Sequence, residues 1–551
     1  MKVYIKGIGE RTYESPLTLR EIAEGVKDAF SSPTAAAVLN NRVYDLNHVI
    51  EDDADVEFLD LSTETGMRIY VRTLAFIFIK AASDVLPGCR VMVEHSIGNG
   101  IYSEIQWKEP IDSDDVKAVE MRMRELVERN LPIIKKKVPT EEAAVYFKKM
   151  GWDDKVRLLK YLKEDHVDLY ELDGMMDYFA GILLPSTGYV RWFALKYYLP
   201  GVILQHPEPE APLEIPPFDE QPKLFKIFRE SERWAHILGI ADAGALNEYI
   251  ASGRAGEIIR IAEALHEKKI AQIADLICEN RDMLRVILIA GPSSSGKTTF
   301  AQRLMVHLMV NGAKPLAISL DDYFVDREKT PLGEDGKPDF EALEAIDIEL
   351  FNRQLAALIQ GKEVYLPKYD FITGKREFRK HPVKIEKDQP IIIEGIHALN
   401  EKLTFAIPKK DKFKIYVSAL TQLSIDNHNY ISTAHTRLFR RIVRDSRTRG
   451  ADALKTIAMW PSVQKGSKKY VFPFQEEADV MFNSALVYEF AVLRKYAEPL
   501  LKKIGDEFPE HVMARYLLKL LEHFEPLQDE REIPATSIIR EFIGGSCFKV
   551  G

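Results

Sequence analysis

Residues 285–299 read RVILIAGPSSSGKTT, and no other stretch restricts the fold of this chain as tightly. An apolar run passes into a glycine-bounded turn that ends in Lys-Thr-Thr. The turn GPSSSGKT, at 291–298, fits G-x-x-x-x-G-K-[ST], a pattern that needs a strand before it and a helix after it. VILIA supplies the strand. Phe300, Leu304 and Leu308 then share one helical face, and Asn311-Gly312 is a stop. Glycines let backbone N–H groups curl around phosphate oxygens with no side chain in the way, and a helix N-terminus adds partial positive charge. Lys297 has the reach for β- and γ-phosphates, and Thr298 has the hydroxyl for Mg²⁺. The expected ligand of Gly291, Ser293, Ser294, Ser295, Gly296, Lys297, Thr298 and Thr299 is a nucleoside triphosphate, ATP first. A flexible serine-rich loop is the plain alternative, and the flanking strand and helix weigh against it.

At 551 residues the chain is too long for one hydrophobic core, so three or four domains are expected. From 285 to 490, VILIA, PLAISL, PIIIEG and FKIYVS alternate with helical stretches, which predicts a parallel sheet flanked by helices. Residues 1–62 read as a small β-rich module with one amphipathic helix carrying Leu19, Ile22, Ala23 and Val26, and an Asn-Asn hairpin turn. Residues 63–204 mix helices with a hairpin around Gly98-Asn99-Gly100. The proline-rich stretch 205–222 predicts an extended linker. A helical connector follows over 223–284, with Ile258, Ile261, Leu265, Ile273 and Leu276 as its packing face. The C-terminal extension, 491–551, is expected to be mostly helical and to pack on another domain.

Composition narrows the setting. A net charge of -9 argues against a general polyanion binder. Cys89, Cys278 and Cys547 are far apart and lack metal-ligand spacing, which points to reduced thiols in the cytoplasm. The start MKVYIKGIGE is not a signal peptide, and the apolar run LAFIFIKAA is broken by Lys80 and too short to span a bilayer. No membrane partner is expected.

The reaction class rests on what surrounds the turn. No Asn-Lys-x-Asp base reader of the GTPase kind is present. Asp321 and Asp322 follow the second strand, where ligands sit in such sheets. A carboxylate there can take the proton of an attacking hydroxyl, and a solvated Asp-Asp turn is the rival reading. Glu394 ends a buried strand, a costly place for a lone acid unless it serves a metal, a water or a partner. HTRLFRRIVRDSRTRG places Arg437, Arg441 and Arg444 on one helical face. Such a cluster can stabilise a transferring phosphoryl group, and a solvated face or an RNA-facing patch fits the charge equally well. His397 reads as a packed core histidine. His428 and His435 lack a carboxylate or cysteine at ligand spacing.

In order, GPSSSGKTT, SLDDYF, LPKYDFITGKRE, IIIEGIHAL and RLFRRIVRDSRTRG make residues 285–490 resemble the uridine kinase and phosphoribulokinase family of P-loop kinases. The resemblance implies Asp321 as general base and Glu394 as an organiser of Mg²⁺ with Thr298. It implies Tyr369 and Phe371 as walls of the acceptor pocket. It assigns Arg441, Arg444 and Arg449 to a lid over the phosphates, with Arg449 on the nucleotide. The acceptor side departs from the pattern. Gly374 stands where the family has a base-reading histidine, Glu341 for a ribose-contacting aspartate, Met459 for a lid glutamine and His435 for an aspartate. The implied activity is transfer of the γ-phosphoryl of ATP to a nucleoside, with uridine or cytidine as the family default, or to a similar small alcohol.

Residues 1–62 resemble the β-grasp-like TGS module of threonyl-tRNA synthetases, and 63–204 the α+β editing domain that follows it there. That family uses a His-x-x-x-His pair and a later Cys-x-x-x-His. Here those positions align with Arg72 and Phe76, and with Phe179 and Leu183. Phenylalanine and leucine bind no metal and relay no proton, so editing hydrolysis is expected to be lost. RNA binding, regulation of the kinase, a homo-oligomer contact and a purely structural role stay open for this half. The alternative for the whole chain is an RNA- or tRNA-associated regulator that uses ATP as a switch.

Overall fold

The computed structural model describes residues 1–280, 283–333, 336–371, 373–386 and 388–549, without the side chain of His236. Ile372 of LPKYDFITGKRE and Val550, the last residue of IPATSIIREFIGGSCFKV, lie outside the described residues. The architecture is α/β and multidomain. The third part carries a parallel sheet in the order Leu316–Ser319, Ile391–Glu394, Val286–Ala290, Lys412–Ser418 and Val480–Asn483. Val286–Ala290 lies at its centre and is buried along its whole length, hence the unbroken apolar run. The last strand, VMFN, is too short to stand out by pattern. Phe300, Leu304 and Leu308 of the helix Lys297–Val310 are buried against the sheet.

The helix Ala255–Glu279 corrects the expected packing face. Ile261 and Leu276 are 44% and 39% exposed. The buried stripe runs instead through Ile259, Ala262, His266, Ile270, Ile273 and Ile277, at steps of three and four residues. Ile258 also lies within it, but Ile261 sits one 100° step outside. The C-terminal extension is less helical than expected. Its helices are Glu489–Leu501, His511–Leu521 and Arg540–Ile543, and Pro526 and Pro534 interrupt the stretch between the last two.

At the N-terminus, a mixed sheet runs Gly9–Thr12, Lys2–Ile5, Ala54–Asp60, Thr34–Leu39, Arg42–Tyr44. The hairpin turn places Asn40 and Asn41 at φ 49° and 54°, the left-handed pair that a two-residue turn of this hand demands. Next, the helix Glu64–Val85 contacts the strand Arg90–Ile97 of an antiparallel sheet. That sheet also holds Gly100–Gln106, Gly201–Gln205 and Ala194–Tyr198. The proline-rich stretch is extended but not free. Asn99 Nδ2 donates to Pro216 O at 3.2 Å and to Pro217 O at 2.7 Å, and Phe218 lies edge-on to Tyr198.

A buried ionic knot ties the second part to the third. Lys155 Nζ lies 2.9 Å from both Asp177 and Asp426. His428 Nδ1 lies 2.6 Å from Asp177 Oδ2. Asn427 O accepts from Val93 N–H at 2.7 Å. Burial pushes the Asp177 carboxyl up, but Lys155 and His428 outweigh it and hold it below the usual aspartate range. The loop 424–430 that enters this knot leads directly into the arginine-rich helix Thr433–Thr448. Lys155→Met should therefore strand two buried carboxylates and cost about 3–5 kcal/mol of stability. Urea unfolding checks this, and a loss below about 1 kcal/mol would contradict it.

Candidate active site

The phosphate-type loop leaves the carboxyl end of the central strand. Ser294 and Gly296 turn it with φ of 62° and 82°. A Cβ on Gly291 would lie 2.0 Å from Val417 O, so only glycine passes there. Ser294 Oγ and Ser295 Oγ are buried without a hydrogen-bond partner. Thr298 stands partly buried in the first turn of the helix, next to Lys297.

The carboxylates come from neighbouring strands. Ser319 pairs with Glu394 in the sheet, and Ser319 Oγ donates to Glu394 Oε1 at 2.7 Å. Burial pushes the Glu394 carboxyl up to about 7, with Lys297 opposing and Asp321 adding to the rise. Asp321 and Asp322 sit on the 3₁₀ turn Leu320–Tyr323 and part company. Asp322 Oδ1 accepts from Tyr369 N–H at 3.3 Å and Asp322 pairs with Arg379 at 3.6 Å, which anchors the neighbouring hairpin. The charge of Asp321 instead acts on Glu394, Glu341 and Arg449. Glu341 is deeply set, its Oε2 has no hydrogen-bond partner, and burial pushes its carboxyl up against the pull of Arg441, Lys297 and Arg437.

The arginines do not form a solvated face. Arg437, Arg440, Arg441 and Arg444 are 2%, 0%, 8% and 6% exposed. Arg437 Nε donates to Ser293 O at 2.9 Å, and Arg441 Nη1 to Ser293 Oγ at 2.8 Å, so two cations hold the phosphate-type loop. Arg444 pairs with Asp445 at 2.7 Å. Arg440 turns away to Glu489 at 2.5 Å and to Ser484, a structural tie. Arg449 lies 5.2 Å over the Phe371 ring and bridges the end of the helix Thr433–Thr448 to the neighbouring hairpin. Burial lowers Arg437 to about 10.

In that hairpin, Tyr369 is buried, Phe371 is exposed, and their rings lie 5.2 Å apart. Gly374 turns the hairpin Pro367–Asp370 to Lys375–Phe378 at φ 71°, and a Cβ there would meet Arg327 at 2.8 Å. Backbone geometry therefore explains that glycine. Met459 is 42% exposed on the helix Ala453–Tyr470. His397 packs edge-on to Tyr470 and His435 against Tyr516, while His428 belongs to the ionic knot.

Two contributors escape the motif reading. Gly466 admits Glu341, whose Cβ would lie 2.5 Å from a Cβ on the glycine. Glu541, far along the chain, accepts from Thr299 N–H at 3.1 Å and Thr299 Oγ1 at 2.7 Å. The approach of Glu541 to the helix start has no local sequence signal.

In the second part, Phe76 and Phe179 pack at 5.0 Å and Arg72 Nη1 donates to Ile182 O at 3.0 Å. Phe76 and Phe179 thus meet as apolar core, with Arg72 tied to the backbone beside them. A cleft of about 800 Å³ lies between the first two parts, lined in part by Arg20, Lys27, Tyr189 and Trp192, away from the phosphate-type loop. Among the described residues no helix is long and apolar enough to cross a membrane.

Residues 286–489 match the Phosphoribulokinase / Uridine kinase family model. That match supports a P-loop kinase. The N-terminal region matches threonyl-tRNA synthetases. Over 187 residues the chain is 28% identical to a threonine–tRNA ligase of Methylobacillus flagellatus, covering 34% of this chain and 29% of that protein. Identity to the Rhodospirillum rubrum ligase is 31% over 179 residues, covering 32% and 28%. The chain thus spans less than a third of these curated relatives. Among solved structures, a possible uridine kinase from Bacillus stearothermophilus is 23% identical with a TM-score of 0.25, covering 38% of this chain and 97% of that one. A D-glycerate 3-kinase from Cryptococcus neoformans var. grubii is 16% identical with a TM-score of 0.23, covering 46% and 87%.

Gly466→Ala should force Glu341 aside and destabilise the protein by about 1–3 kcal/mol. A thermal melt measures it, and an unchanged melting temperature would refute the tight approach.

Proposed function

We propose that residues 285–490 transfer the γ-phosphoryl group of ATP to a hydroxyl of a small acceptor of nucleoside type. The observation that carries this reading is the double hold of Arg437 and Arg441 on Ser293. It sets cations on the loop while Glu394 and Glu341 cluster with Lys297 and Asp321. Phosphoryl transfer is mostly positioning and charge stabilisation, and this arrangement offers both.

The partnerless Ser294 and Ser295 hydroxyls in the turned loop fit a phosphate group. Thr298 and Glu394 would hold Mg²⁺, which takes few protein ligands and completes its shell with phosphate and water. When bound, the ion neutralises charge that develops between the phosphates. Lys297 reaches the outer phosphates, Arg441 and Arg444 stabilise the moving group, and Arg449 closes the lid against Phe371. Asp321 takes the hydroxyl proton of the acceptor.

Glu341 is free to accept a hydrogen bond from an acceptor hydroxyl, and Tyr369 and Phe371 offer ring faces. These groups suit a sugar hydroxyl beside a flat base, with uridine and cytidine the first candidates. Cys89, Cys278 and Cys547 are free thiols, in keeping with a reducing cytoplasm.

ADP release with a panel of nucleosides, pentose phosphates and small alcohols, with mass detection of product, tests the acceptor. Asp321→Asn should lower turnover by roughly 10²- to 10⁴-fold while nucleotide affinity stays within about threefold. Normal turnover by that variant would sink the assignment.

A further inference from the structure

The short helix Arg540–Ile543 sits on the first turn of the phosphate-loop helix. Glu541 is 8% exposed and directs Oε2 at the backbone N–H and the hydroxyl of Thr299. The first N–H groups of a helix have no partner within it. In a strand–loop–helix phosphate site they are the donors that face the anion. A carboxylate oxygen and a phosphate oxygen seek the same two hydrogens.

The contact is built rather than incidental. The Ile538 side chain lies so near that a Cβ on Gly296 would meet it at 2.5 Å. Arg447 Nη1 donates to Phe542 O at 2.5 Å, and Arg440 lies 5.0 Å over the Phe542 ring. Ser537 Oγ donates to Glu263 Oε1 at 2.5 Å. Ile538, Ile539 and Phe542 are wholly buried. One short segment therefore touches the loop, its helix and the arginine-rich lid helix. The charge of Glu541 also reaches Glu394, which places it on the side of the cleft where the phosphates would lie.

We propose that residues 537–543 form an autoinhibitory strap, in which Glu541 holds phosphate-binding donors and must leave before a nucleotide seats fully. This inference rests on the nucleotide-binding reading above and adds a regulation to the same site. Two negative charges cannot share Thr299 at hydrogen-bond distance without strong repulsion. Nucleotide affinity is then reduced by the fraction of molecules whose strap is closed. Because the strap also holds Phe542 against Arg440 and Arg447, its release would loosen the lid helix at the moment the phosphates arrive.

The test uses the full chain, with MgADP as the probe in calorimetric titration and hydrogen exchange. Glu541→Gln keeps the shape and removes the charge. Its affinity for MgADP should rise about tenfold or more, the scale of a charge-assisted hydrogen bond. In the unmodified protein, saturating MgADP should speed exchange at the amides of 537–543. Equal or weaker binding by Glu541→Gln, with the unmodified protein binding well, overturns the strap and leaves the kinase reading standing. Failure of both folded proteins to bind MgADP overturns the kinase reading and the strap with it. If the variant does not fold, the exchange experiment decides: unchanged or slower exchange under MgADP overturns the proposal.

Discussion

The unsatisfied N–H groups at the start of the helix Lys297–Val310 are the constraint around which the third part is organised. A buried helix end with free donors is costly. The surrounding groups answer it in layers. The loop turns on Ser294 and Gly296 so that its backbone faces inward. Ser293 is held by Arg437 and Arg441, and Thr299 is satisfied by Glu541. Glu394, Asp321 and Glu341 balance the positive charge gathered there. The parallel sheet brings these groups together, because Ser319, Glu394 and Ala290 all stand at the same end of adjacent strands.

Legibility from sequence follows how local each cause is. The loop was readable because strand, turn and helix are contiguous and each carries its own periodicity. Glu394 was readable because an acid at the end of three isoleucines has few cheap explanations. Asp321 could not be separated from Asp322 in sequence, since the difference lies in the hairpin that brings Tyr369 and Arg379 to only one of them. Arg440 and Arg441 are adjacent and chemically identical, yet one faces Glu489 and the other Ser293. Glu541 meets Thr299 across 242 residues of chain, which no motif spacing encodes. Ile261 and Leu276 were misplaced because two apolar stripes on one long helix compete, and only the neighbour decides which is covered.

The front half shows a different economy. Positions that align with metal-binding and proton-relaying residues elsewhere hold Phe76, Phe179 and Leu183, which pack as ordinary core. The Val93 N–H and the Tyr178 carbonyl engage Asn427 and Asn429 from the third part. These contacts form an internal seam, with the arginine-rich helix Thr433–Thr448 beginning only a few residues beyond it.

The ionic knot at that seam bears on how such a chain can change over time. Lys155 and Asp177 from one part of the polypeptide meet Asp426 and His428 from another, with every one of these side chains shielded from solvent. A charge altered on one side leaves buried charge unpaired on the other, so the stability of the two parts is coupled through this seam. Replacing either part by one that lacks these charges would leave the other half of the knot buried and unpaired, a cost felt far from both the cleft and the phosphate-type loop.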